Sequence, residues 1–142
     1  MGGWTHNPSY QDVSGKMTGH AEVVEVTYDT TVTRFPQLLK AFFSFHDACR
    51  DRTIKGGQYR SVVFYRKAKE RIIAERAVEL LRKNGVEVTT KVEPAQIFWE
   101  AEKQHQGYAA RSEGYDKLAP NPALDAATLE EAATQQAKPV AA

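Results

Sequence analysis

Only one cysteine, Cys49, occurs in the 142 residues, so no internal disulfide is open to the chain. An excess of positive charge is also lacking. The 19 Lys and Arg are interleaved with 18 Asp and Glu, for a formal net charge of +1, and this leaves no basic stripe for a phosphate backbone. No apolar run approaches the roughly 18 residues that span a bilayer, and Met1-Gly2-Gly3-Trp4 has neither the basic start nor the apolar centre of a signal peptide. A cytoplasmic protein with no nucleic-acid or membrane partner is expected, with Cys49 an ordinary reduced thiol. The four histidines, His6, His20, His46 and His105, fall at no close ligand spacing, so no metal is expected. Gly56-Gly57 lacks the lysine and following helix that a phosphate loop needs.

What is present suits one globular domain of modest core, with 42% hydrophobic and 26% charged residues. Residues 1–19, rich in Gly, Pro, Asn, Ser and Thr, read as an extended loop of the kind that often carries sites. From Ala21 to Tyr28 the pattern alternates, with Val24, Val26 and Tyr28 on one face, as in a half-buried strand. Thr33 can cap a helix opening at Phe35-Pro36, with Leu38, Leu39, Phe42, Phe43 and Phe45 as its apolar stripe. Ser61-Val62-Val63-Phe64-Tyr65 reads as a second, buried strand. Residues 66–83 read as a helix stopped by Asn84-Gly85, residues 86–92 as a third strand ending at Pro94, and residues 95–111 as helix or helical turns. The Ala-, Pro- and Gln-rich segment 119–142 offers little to a core and is expected to stay mobile, which leaves 1–118 as the domain. The alternation of strand and helix predicts an α/β or α+β sandwich with helices covering a thin sheet. Such a sheet has edges in need of cover from a lost strand or a second chain.

Tyr10, His20, Glu22, His46, Asp47, Tyr59 and Arg60 are polar residues at the ends of these elements, where chemistry often sits. Two readings stay open on the residues alone. In one they form a site. In the other Glu22 is an exposed strand-end carboxylate, the histidines are capping or internally satisfied groups, and the tyrosines are core edges with a wet hydroxyl.

Several strings, in order, carry a resemblance: Gly2-Gly3-Trp4-Thr5 with Asn7-Pro8-Ser9-Tyr10; Thr18-Gly19-His20-Ala21-Glu22-Val23-Val24; Phe42-Phe43 with His46-Asp47; Gly57-Gln58-Tyr59-Arg60-Ser61; and Ala101-Glu102 with His105-Gln106 and Tyr108. Over residues 2–110 the chain resembles the A-type peptide-methionine sulfoxide reductases (MsrA), which reduce methionine-S-sulfoxide, free or in proteins, to methionine in the repair of oxidative damage. The resemblance implies their two-layer α+β, ferredoxin-like fold without its first strand and helix. It implies no bound cofactor, and thioredoxin or another thiol as reductant. It also assigns roles: Tyr10 and Tyr59 hold the sulfoxide oxygen, Glu22 protonates it, and His20, His46 and Asp47 support them.

A sulfoxide oxygen leaves poorly until protonated, so the family's acid must be a carboxyl held neutral by apolar surroundings, here expected from Val23 and Val24. The cysteine nucleophile of the family's GCFWG-type motif has no counterpart in this sequence, nor do the Phe and Trp beside it. Ser14 stands where some members carry a further cysteine, Ile54 stands where an aspartate would align, and no resolving cysteine occurs in 113–142. Met1-Gly2-Gly3 matches an internal stretch of the family, so the expectation is a truncated reading frame. The alternative function is a non-catalytic remnant that binds methionine sulfoxide or a protein partner.

Overall fold

The computed structural model describes residues 1–53 and 57–107. Five elements form it: α1 (Tyr10–Ser14), α2 (Phe35–Phe45), β1 (Val62–Tyr65), α3 (Ala68–Lys83) and β2 (Lys91–Pro94), followed by a single 3-10 turn at Lys103–His105. β1 and β2 pair in parallel, with Val62 opposite Lys91 and Tyr65 opposite Pro94. Parallel neighbours need a long crossover, and α3 supplies it. The architecture is α/β, a small parallel sheet with helices packed on it, as the alternation of elements predicts.

α3 buries Ile73, Ala74, Ala77, Val78 and Leu81 on one face. They meet Leu39 and Phe43 of α2, Val63 of β1, and Ala48 and Val88 from flanking loops in one core. Residues at three- and four-residue spacing share a helix face, which is why the sequence displays this core so plainly. The predicted stop also forms. Gly85 adopts φ +79°, its N–H donates to Arg82 O at 3.0 Å, and the Val86 N–H donates back to Leu81 O at 3.0 Å. This is the paired bonding of a left-handed helix cap.

Six expectations are corrected. The first loop contains α1, because Ser9 caps it and Asp12 reaches back to the Ser9 N–H at 2.8 Å, a reciprocal capping box. Residues 21–28 form no strand. Alternation describes side chains, whereas a strand also needs a neighbour's N–H and C=O groups, and no ladder reaches this segment among the described residues. Val24 is consequently 87% exposed and Val26 52%.

The cap of α2 is Arg34, not Thr33, and Gln37 fills the role by accepting from the Arg34 N–H at 2.7 Å and the Thr33 hydroxyl at 3.0 Å. Phe45, placed in the apolar stripe, is 65% exposed. The third strand is displaced to Lys91–Pro94, because pairing starts where Lys91 N–H meets Ser61 O at 3.1 Å, while Val88 and Thr90 are buried without a ladder. Of the helix expected over 95–111, the described part holds only the 3-10 turn. Ile54, Gly56, Tyr108, the boundary at 118 and the tail 119–142 lie outside the described residues.

Candidate active site

A turn at residues 57–60 is the centre of the site. Arg60 N–H closes it on Gly57 O at 3.1 Å, and Gly57 takes φ +74°, a conformation that favours glycine. The Arg60 guanidinium, largely buried, donates to Gly57 O and to Gly19 O, each at 3.1 Å, and lies 3.6 Å from Glu93 of β2. One cation thus ties the turn to both the sheet and the 18–22 segment. The turn sends its two central side chains in opposite directions, with Gln58 5% exposed and Tyr59 54% exposed.

Glu22 is fastened beside this turn. Its N–H donates to Gln58 O at 2.8 Å, and the Gln58 side-chain amide donates to Glu22 Oε1. Tyr59 senses the result, since its phenol is raised above the ordinary value of 10.0 by burial first, then by the negative charge of Glu22, then by Tyr10 and its hydrogen bond. Tyr10, Glu22 and Tyr59 are therefore gathered in one place from positions 12 to 49 residues apart in the chain. Removing the charge with Glu22→Gln is expected to bring the Tyr59 ionisation down toward its ordinary value. Alkaline titration of the tyrosinate absorbance in wild type and variant measures this, and an unchanged Tyr59 would separate the two residues.

Tyr10 has its own support. Its N–H donates to Glu102 Oε1 at 3.0 Å, and its ring stacks on His105 with centroids 4.4 Å apart and planes at 22°. Accepting from Tyr10 stabilises the Glu102 carboxylate and holds its pKa below the ordinary value. Glu102 and His105 belong to a motif that the sequence displays, but their contact with Tyr10 spans more than 90 residues and leaves no periodic signal.

The other candidates do structural work. His20 is 4% exposed and accepts at Nδ1 from Gly3 N–H, 3.1 Å away. Its Nε2 therefore carries the proton and donates to Thr5 O at 2.9 Å. The pair clamps the loop that leads to α1. Gly3 is needed there, since a Cβ would fall 2.3 Å from Thr18 O and 2.5 Å from His20 N.

His46 takes the opposite tautomer. Nδ1 donates to Phe42 O at 2.7 Å, so Nε2 accepts from Ser61 Oγ at 2.7 Å, and Ser61 in turn meets Thr90 Oγ1 at 2.6 Å. Asp47 is exposed and accepts from Cys49 N–H at 3.0 Å within its own loop. Among the described residues, the apolar enclosure expected around Glu22 is not formed. Glu22 is itself exposed, as is Val24, because the segment that carries them has no neighbouring strand.

Cys49 is exposed and lines a surface cleft of about 510 Å³ with Arg82, Gly85 and residues 86–89, a set that includes none of Tyr10, Glu22 or Tyr59. Among the described residues no group of three or more His, Cys, Asp or Glu could hold a metal ion. None of their helices is long and apolar enough to cross a membrane.

Comparison with known proteins places this geometry in context. A family model described as peptide methionine sulfoxide reductase matches residues 1–136. The peptide methionine sulfoxide reductase MsrA of Nautilia profundicola is 41% identical over 114 residues, covering 78% of this chain and 66% of the relative. That of Methanothermobacter thermautotrophicus is 42% identical over 118 residues, 79% of this chain and 70% of the relative. That of Saccharolobus solfataricus is 38% identical over 125 residues, 85% and 67%. The chain thus spans about two thirds of the length of these curated relatives.

Proposed function

The chain belongs to the peptide methionine sulfoxide reductase family, and on that premise we propose that Tyr10, Tyr59 and Glu22 are the oxygen-handling groups of a methionine-S-sulfoxide site. The family is one of thiol-dependent oxidoreductases that work without a metal. The observation that carries the proposal is the convergence of two phenols and a carboxyl: Glu22 is bonded through backbone and side chain to Gln58, the chain neighbour of Tyr59, and Tyr10 is hydrogen-bonded to Tyr59. Phenol hydroxyls donate hydrogen bonds to the sulfoxide oxygen and fix its position as negative charge develops on it. Glu22, exposed and so in exchange with solvent, takes up a proton and delivers it to that oxygen. Attack of a thiolate on the sulfur then forms an S–S bond as the S–O bond breaks and the protonated oxygen leaves as water; a water molecule attacking the thiol's sulfur then expels methionine and leaves a sulfenic acid, which a second thiol reduces with release of water.

Cys49, the single cysteine, lies in the separate cleft, so the thiol for this step comes from outside the cluster. The residues described thus handle the sulfoxide oxygen, and reduction is completed by a thiol supplied to them. A thioredoxin-type protein suits the role of reductant. A cytoplasmic setting, which keeps thiols reduced, suits the chemistry. Free and peptide-bound methionine-S-sulfoxide both present the required oxygen.

The test is a titration of the labelled chain with L-methionine-(S)-sulfoxide, followed by NMR. Saturable shifts at Tyr10, Glu22 and Tyr59 are expected. Tyr10→Phe and Tyr59→Phe should each weaken binding up to about tenfold, the equivalent of one hydrogen bond of roughly 1.4 kcal/mol. Absence of a saturable response removes the reading. Thiol-dependent turnover with dithiothreitol that is abolished by Cys49→Ser would overturn the separation of Cys49 from the site.

A further inference from the structure

We propose that Gln58 is the positioning residue of Glu22, and that it decides which carboxyl oxygen presents the proton to a bound sulfoxide. The inference rests on the reading of Glu22 as the acid. An exposed glutamate on a flexible stem would sample many rotamers, and ordering it costs entropy. Gln58 restrains it at both ends, since its carbonyl receives the Glu22 N–H at 2.8 Å and its side-chain amide donates to Oε1.

The restraint is itself anchored. Gln58 is 5% exposed, and its turn is tied down by Arg60 to Gly19 O and toward Glu93. A primary amide N–H can only donate, so Oε1 must act as the acceptor. A proton on the carboxyl is thereby assigned to Oε2, the oxygen that no described residue engages and that is open to the ligand. The next residue in the chain is Tyr59, so a single turn places the oxygen-binding phenol and the holder of the acid side by side. Gln58 touches neither ligand nor reacting atoms in this scheme, and its effect passes through Glu22.

Two measurements on the full chain test this. The first needs no ligand: the Gln58 side-chain amide proton resonance is followed while pH carries the Glu22 carboxyl, tracked by its own 13C signal, through its titration. A concerted shift is expected, and it should vanish in Glu22→Gln. An amide that ignores the carboxyl overturns the proposal.

The second is affinity for L-methionine-(S)-sulfoxide at a pH low enough that Glu22 is protonated in every variant, so that only orientation is compared. Gln58→Met, which keeps length and removes the donor, should bind about 5–10-fold more weakly, with the core resonances of Ala77 and Leu81 unmoved. Wild-type affinity in Gln58→Met, alongside weakened Tyr59→Phe and Glu22→Gln, overturns the role of Gln58 alone. Failure of the wild-type chain to bind overturns the proposed function instead, and the amide response then still decides whether Gln58 governs Glu22.

Discussion

Leu81→Ala is expected to lower the unfolding free energy by about 2–5 kcal/mol, the cost of losing buried methyl groups and leaving a cavity that neighbours fill only in part. Leu81 is fully buried at the meeting of α2, α3 and the 86–88 loop. Its carbonyl also accepts from Val86 N–H, so the residue sits where the helix is capped and turned toward β2. A domain of this size is usually stable by only about 5–15 kcal/mol, and the substitution removes a large share of that. Urea unfolding followed by circular dichroism measures it. A loss below about 1 kcal/mol would mean that the core around α3 is not the main store of stability.

His46→Ala is the second large effect, and it reads as loss of structure, not of an acid or base. The ring bridges Phe42 O and Ser61 Oγ, and Ser61 continues to the buried Thr90. Each group left buried without a partner costs about 1–3 kcal/mol, so orphaning the Phe42 carbonyl, while the Ser61 hydroxyl loses one bond and keeps Thr90, should destabilise by about 1–3 kcal/mol. The ring also packs 4.3 Å from Phe42 and 6.2 Å from Phe43 between centroids, and that contact is lost as well. A double-mutant cycle with Ser61→Ala checks the origin: non-additivity above about 0.5 kcal/mol is expected for directly bonded residues. Full additivity would show that the chain from Thr90 to Phe42 does not act as a unit.

The contrast between His46 and Glu22 shows why some of the site was readable. Both were singled out as polar residues at element ends, and the strings around them resemble one family. Their surroundings separate them. His46 uses both ring nitrogens on the protein itself, whereas Glu22 commits Oε1 to Gln58 and remains exposed. Residue type and spacing cannot make that distinction, because it depends on partners 15 and 36 positions away. Gln58 escapes a sequence reading for the same reason. It lies within the Gly57-Gln58-Tyr59-Arg60-Ser61 string, yet an amide carries no charge or pKa signal until its partner is known.

Local rules decided much of the fold. The 3.6-residue periodicity of α2 and α3, the Asn84-Gly85 stop and the Ser9 and Asp12 capping box are short-range effects that a sequence contains in full. Strands are different, since a β segment is defined by the chain beside it. Among the described residues the alternating 21–28 stretch lacks such a neighbour, and the expected third strand lies where Lys91 meets Ser61. The sequence alone therefore determined α2, α3, their core stripe and the family, because each is written in local order. Only the tertiary structure decided which residues are strands, which histidine nitrogens carry protons, and that Glu22 is bonded to Gln58 beside Tyr59, because each of these depends on contacts between distant segments.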